Sequence, residues 1–201
     1  MTRYSLLALL AFLAVALAAC GGDGEEAAQP TTAGQPTTAA QGTPMSTPII
    51  TDSQFEFPEK GYSVSFPEGW TPVANFLPGP DFSVDAFFAP EEVNGLQPNI
   101  AVNCERLPEG LKLDEYFDAK VDVVKQVIRV EPELGSREVD GQEAKFYRFV
   151  RQDTDPPIEK TEVFLVTEKC GWDIALTAPY ADPASYRELF EEFLDSFRLL
   201  S

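Results

Sequence analysis

Four strand-length segments joined by short turns place the strongest constraint on how this chain folds. They are Glu133–Val139, Gln142–Gln152, Ile158–Glu168 and Cys170–Ala178. In the last of these, Trp172, Ile174 and Leu176 alternate with Gly171, Asp173 and Ala175, the period of two that lays one face of a strand against a core. Asp140-Gly141 between the first two is a hairpin signal, because both residues accept the positive φ of a tight primed turn. Asp155-Pro156-Pro157 and the region of Lys169 supply the next two turns. The four segments therefore read as a meander.

Upstream, Phe55–Phe57 and Gly61–Phe66 read as two short strands bent at Pro58-Glu59-Lys60-Gly61. Pro67-Glu68-Gly69-Trp70 is a turn that ends in a large anchor residue. Residues 71–98 are the least regular, carrying Pro72, Pro78, Pro80, Pro90 and Pro98, with one strand, Phe82–Phe88, inside them. Asn99–Leu107 is a further strand. Asp114 is the expected N-cap of a first helix, in which Phe117, Val121, Val124 and Ile128 fall at helical spacing. Asp114, Glu115 and Asp118 favour the positive end of its dipole, and Lys125 and Arg129 the other. Asp182-Pro183 opens a last helix as N-cap and first residue, with Tyr186, Leu189, Phe190, Phe193 and Phe197 as its apolar face. Antiparallel strands with one helix in the middle and one at the end make an α+β domain.

The first fifty residues do not fit this pattern. Arg3 precedes an apolar run from Leu6 to Ala19, the form of a secretory signal and shorter than the roughly 20 residues a spanning helix needs. Leu17-Ala18-Ala19-Cys20 resembles a bacterial lipobox. The resemblance implies that the Cys20 thiol receives a diacylglycerol and becomes the first residue of the mature protein. An uncleaved anchor or an ordinary secretory signal are the plainer readings. Residues 21 to about 50 open with Gly-Gly-Asp-Gly and continue mainly in Thr, Pro, Gln, Gly and Ala without apolar periodicity, so nothing offsets the cost of ordering them. They read as a tether spanning about 30 Å as a flexible coil. The expected division is signal peptide 1–19, lipidated Cys20 and linker 20–53, and one globular domain 54–201.

The chain has no histidine. That removes Ser-His-Asp and Cys-His catalysis, His-ligated zinc and the commonest general base near neutrality. It carries 33 acidic against 15 basic side chains, a net charge of −18. Such a surface repels phosphate backbones and anionic headgroups, so neither nucleic acid nor the bilayer surface is an expected electrostatic partner. The membrane is reached through the lipid alone. Of the three cysteines, Cys104 and Cys170 remain once Cys20 is assigned to the lipid. Alternation places Cys104 with Ile100 and Val102, and Cys170 with Trp172, Ile174 and Leu176, so both thiols face an apolar side. A disulfide, favoured by export, and two separate buried thiols are both open readings.

Two stretches resemble a known family. Phe57-Pro58-Glu59-Lys60-Gly61-Tyr62-Ser63-Val64-Ser65-Phe66-Pro67-Glu68-Gly69-Trp70 is similar to the opening of PsbP-like domains, and Phe193-Leu194-Asp195-Ser196-Phe197-Arg198-Leu199 to their close. The resemblance covers about residues 54–201 and implies an α/β/α sandwich around an antiparallel sheet, usually noncatalytic, with Trp70 and Phe197 in the core. The family's best-known members are extrinsic subunits on the lumenal face of photosystem II that help it retain calcium and chloride. Bacterial lipoproteins with this domain are also similar. This chain lacks histidine to supply a metal ligand and is acidic where docking of the plant proteins uses basic residues. The resemblance therefore carries the fold and not the site.

Carboxylates are the remaining source of chemistry. Asp114, Asp118 and Asp122 recur on the first helix, and Glu188, Glu191, Glu192 and Asp195 gather on the last. A helix face cannot wrap a calcium ion with six or more oxygens, so both read as solvated faces, and Asp153-Thr154-Asp155 as turn residues. No catalytic residue, metal site or cofactor is expected. Phe76-Leu77-Pro78-Gly79-Pro80-Asp81-Phe82 is aromatic and irregular, either tucked onto the sheet or presented to a partner. Phe76 and Phe82 are the candidate contacts. Three functions follow in order: a tethered noncatalytic domain that binds or stabilises an envelope protein complex, a carrier or sensor of a small apolar ligand held between sheet and helix, and an enzyme with paired carboxylates.

Overall fold

The hairpin signals of the sequence are where the strands turn. The computed structural model describes residues 47–79 and 81–200. The signal segment, Cys20 and the linker up to residue 46 lie outside the described residues. In chain order the elements are β1 (Ile49–Thr51), β2 (Gln54–Phe57), β3 (Tyr62–Ser65), β4 (Thr71–Pro78), β5 (Phe82–Phe88), β6 (Asn99–Glu105) and α1 (Leu113–Val123). They continue with β7 (Glu133–Val139), β8 (Gln142–Arg151), β9 (Ile158–Val166), β10 (Gly171–Pro179), α2 (Pro183–Ser196) and β11 (Arg198–Leu199). A π-helical turn, Val124–Ile128, prolongs α1 and ends at Arg129, whose φ is +62°.

Seven strands form one antiparallel sheet in the order β4-β5-β6-β10-β9-β8-β7. The expected meander is its β7-to-β10 half. A second meander, β4-β5-β6, joins it through the β6–β10 ladder, in which Ile174 faces Val102. The connection from β6 through α1 carries the chain across the sheet to its far edge at β7. A small sheet, β1-β2-β3-β11, packs with α2 on one face. That core joins Phe55, Tyr62, Phe190, Phe193 and Phe197 to Val163, Leu165, Trp172, Ile174 and Leu176. On the other face Tyr116, Phe117, Val121 and Val124 of α1 and its extension meet Tyr147, Phe149 and Phe164. Adjacent residues Val163, Phe164 and Leu165 thus point into opposite cores, as the pleat requires. The layers are α1, the large sheet, then α2 with the small sheet, the expected sandwich.

Three expectations need correction. The described fold starts at β1, whose Ile49, Ile50 and Thr51 pair with Glu56, Phe55 and Gln54, ahead of the boundary read at residue 53. All three side chains are exposed, so the strand is held by its backbone ladder, and Ile49-Ile50-Thr51 is too short to show an alternation in the sequence. Residues 71–78, read as irregular, are β4. It is an edge strand, where proline is tolerated, and a register shift between Val73 and Leu77 accommodates Asn75 at φ +52°. Asp114 is not the N-cap of α1. Lys112 occupies that position and donates its backbone N–H to the Glu115 carboxylate at 3.2 Å. Asp114 lies in the first turn and pairs with Lys145 at 2.5 Å.

Candidate functional site

Cys104 and Cys170 are bonded, with Cα atoms 5.6 Å apart. Cys104 lies opposite Trp172 in the ladder, and Cys170 immediately precedes β10 on the same face. The Cys170 N–H and the Trp172 indole N–H both donate to Thr167 Oγ1, at 3.2 and 3.3 Å, which fixes the turn that delivers the sulfur. Cys20 lies outside the described residues.

Phe76 and Phe82 sit at the β4–β5 edge of the large sheet. Phe76 belongs to the irregular part of β4, and its ring meets Phe88 edge-on at 5.2 Å. Phe82 opens β5 with its ring against Gly79, where a Cβ would have no room. Both are half-buried. Asp114, Asp118 and Asp122 are exposed, as are Glu188, Glu191, Glu192 and Asp195. Among the described residues no group of three or more His, Cys, Asp or Glu side chains is placed to hold a metal ion.

The most unusual chemistry lies beneath α1. Asn103 and Glu105 of β6, Asp173 of β10, Lys160 and Glu162 of β9, and Tyr147 of β8 share the sheet face that α1 covers. α1 adds Tyr116 and Lys120. Lys120 Nζ meets Glu105 at 2.8 Å and Asp173 at 3.9 Å. Lys160 pairs with Glu162 at 2.6 Å, and the Tyr147 hydroxyl donates to Glu162. Asp173 is 1% exposed and Glu162 4%. Burial, then the Glu162 carboxylate beside it, push the Asp173 carboxyl well above the ordinary carboxylate range. Burial likewise raises the Tyr116 and Tyr147 phenols. Burial opposes the Lys120 ammonium, but Asp173, Glu105 and Glu162 outweigh it and its pKa ends above the ordinary lysine value.

Sequence reasoning missed this cluster because Glu105, Glu162 and Asp173 occupy the polar positions of an alternating strand, which normally face water. One signal was available. Lys120 falls on the apolar stripe of α1 with Tyr116, Phe117, Val121 and Val124, where a solvated lysine has no place.

The opposite face holds two smaller buried ion pairs. Asp85 of β5, fully buried, accepts from Lys60 Nζ at 2.5 Å, the Tyr62 hydroxyl at 2.6 Å and the Asn75 backbone N–H at 2.8 Å. Three donors satisfy the carboxylate, the condition for burying it. Glu159, 1% exposed, takes both arms of Arg187 from α2, with Arg148 3.9 Å away.

Two concavities stand out. One, of about 490 Å³, is an open cleft at one end of the sandwich, lined by Gly61, Thr167, Lys169, Trp172, Leu199 and Leu200 among others. The other, about 350 Å³, runs between α2 and the sheet and is lined by Arg137, Phe146, Arg148, Thr161, Val163 and Glu191. Arg137 already spans it to Glu191 at 2.6 Å.

The solution structure of cyanobacterial PsbP (CyanoP) from Synechocystis sp. PCC 6803 matches this architecture with a TM-score of 0.55, over 75% of this chain and 95% of that one, at 14% identity. The fold is PsbP-like. A crystal structure from Bacteroides thetaiotaomicron VPI-5482 shares the PsbP-like arrangement with a TM-score of 0.52 at 12% identity, over 76% of this chain and 50% of that one. The chain therefore spans about half of that protein. LpqN, involved in cell envelope biogenesis of Mycobacterium tuberculosis, aligns with a TM-score of 0.45 at 7% identity, over 70% of this chain and 91% of that one. No family model and no curated protein matches the chain. The two stretches that carried the sequence resemblance are adjacent in the PsbP-like fold, since β3 pairs with β11 through Ser63–Arg198 and Tyr62–Leu199. Trp70 and Phe197 are buried, as that resemblance implies. Among the described residues no helix is long and apolar enough to cross a membrane.

Proposed function

We propose that this protein is a lipid-anchored, extracytoplasmic, noncatalytic PsbP-like domain that binds or stabilises a protein complex on the outer side of the cytoplasmic membrane. The observation that carries the location is the Cys104–Cys170 bond, since such bonds persist outside the reducing cytosol. The Leu17-to-Cys20 segment supports attachment through the Cys20 thiol. A noncatalytic role is supported by the burial of the converging carboxylates: Asp173 and Glu162 are sealed between α1 and the sheet, where no substrate reaches them. The fold similarity to cyanobacterial PsbP agrees with an accessory role. Phe76 and Phe82 are the contact residues of this reading, Phe76 on the edge strand β4, whose irregular middle interrupts its ladder with β5, and Phe82 at the start of β5.

The carrier alternative calls for an apolar cavity of roughly 300 Å³ or more. The concavity between α2 and the sheet has the volume but is lined with arginine and glutamate and bridged by an ion pair, which favours the first reading.

Two experiments test it. A Cys20→Ser variant is expected to leave the vesicle fraction and to lose the mass of its acyl chains; unchanged sedimentation removes the anchor. Phe76→Ser combined with Phe82→Ser is expected to abolish crosslinking to the envelope partner while Tm barely moves. Collapse of the fold would show the two rings to be core residues.

A further inference from the structure

The α1 layer rests on a charge arrangement that does not balance by itself. Facing one another between helix and sheet are three carboxylates, Glu105, Glu162 and Asp173, and two ammonium groups, Lys120 and Lys160. Tyr116 from α1, Tyr147 from β8 and Asn103 from β6 complete the set. With every group ionised, one negative charge is left in a nearly dry space, which is costly.

The unpartnered atoms locate that charge. Asp173 and Asn103 are directly opposed in the β10–β6 ladder, so their Cβ atoms lie about 5 Å apart on the same face. Asp173 Oδ1 and Asn103 Oδ1 are both buried without a hydrogen-bond partner, as is the Tyr116 hydroxyl. A carboxylate oxygen and an amide oxygen are both acceptors, so neither can satisfy the other. A proton on Asp173 turns one of them into a donor and removes the excess charge in the same step.

We propose that a proton on Asp173 clamps α1 to the sheet, so that α1 and its π-helical extension loosen when that proton is lost. The layer suits such a switch because its apolar core, built around Phe117, Tyr147, Phe149 and Phe164, is much smaller than the one beneath α2. Release of α1 uncovers those aromatic rings and leaves the α2 side intact. The clamp needs neither the lipid anchor nor a protein partner.

Opening α1 returns Asp173 to water, where a carboxyl has its ordinary value near 3.9, so opening releases a proton. Above that value, each pH unit favours the open state about tenfold until the docked carboxyl itself ionises. Beyond that point the dependence is flat.

Hydrogen exchange of the intact chain, corrected for intrinsic chemical rates, reads this directly. Amides of Tyr116–Val124 are expected to lose protection about tenfold per pH unit over the window, while those of Phe190–Leu194 in α2 stay level. Asp173→Asn, a neutral mimic of the clamped form, is expected to erase the α1 slope. A slope that survives in Asp173→Asn, a flat wild-type profile, or equal slopes in α1 and α2 overturns the proposal. Should that variant not fold, infrared spectroscopy of the wild type decides. A protonated-carboxyl band that is present while α1 is docked and disappears as rising pH loosens it supports the clamp, and the absence of that band from the docked state refutes it.

Discussion

Phe197 stacks on Tyr62, with ring centroids 5.4 Å apart and planes 15° from parallel. Trp172 meets both rings edge-on, at 5.7 and 5.6 Å. Tyr62 opens β3, Phe197 follows the last residue of α2, and Trp172 lies on β10, the central strand of the large sheet. One aromatic group, with its Tyr62 and Phe197 rings fully buried, therefore joins β3 to β10 and α2, two consecutive elements late in the chain.

Phe197→Ala opens a cavity at this junction. It is expected to destabilise the protein by about 3–5 kcal/mol, read as a lower urea midpoint with an unchanged slope. A loss below about 1 kcal/mol would mean that the group collapses around the gap and does not organise the fold.

The Cys104–Cys170 bond closes a sequence separation of 66 residues. Its removal is expected to cost about 4 kcal/mol in the chain-entropy model, measured by denaturation of Cys104→Ala/Cys170→Ala against the oxidised protein. Equal midpoints for the two would refute a stabilising role.

Lys60→Met strands the Asp85 carboxylate with two neutral donors. Breaking a buried pair from one side costs about 3–5 kcal/mol. Adding Asp85→Asn is expected to recover much of that loss, because the uncompensated charge goes with it. Strict additivity in the double-mutant cycle would show that the two groups do not act as a pair.

Gly61 has φ +82°, with the Leu200 carbonyl oxygen 3.4 Å from where a Cβ would stand. Gly61→Ala is expected to cost about 1–2 kcal/mol through left-handed backbone strain, seen as a lower Tm. An unchanged Tm would place the glycine's importance elsewhere.

Much of the fold was legible because turns are local. Asp140-Gly141 sits where β7 passes to β8, and the extents of β5 and β7 agree with the segments read from spacing. β1 and β4 were not legible. β1 is only three residues long with every side chain exposed, and Pro72, Pro78 and the register shift around Asn75 break up the alternation of β4. The N-cap of α1 was missed because Glu115 reaches back to the Lys112 amide, so the capping group lies three residues inside the helix.

Of the candidate site, the facing of the two cysteines was in the alternation, while the 5.6 Å that lets them bond came from the β6–β10 register. By itself, the sequence determined the strand periods, the hairpin turns, the amphipathic helices and the absence of imidazole chemistry, all properties of residues close together in the chain. Only the tertiary structure decided that α1 lies over the polar positions of β6, β9 and β10. Once it does, Asp173, Glu162 and Glu105 lose the water they would otherwise face, and side chains that alternation assigns to solvent become a buried charge cluster. The physical reason is that burial belongs to the pair of surfaces brought together, and no single strand records which surface will cover it.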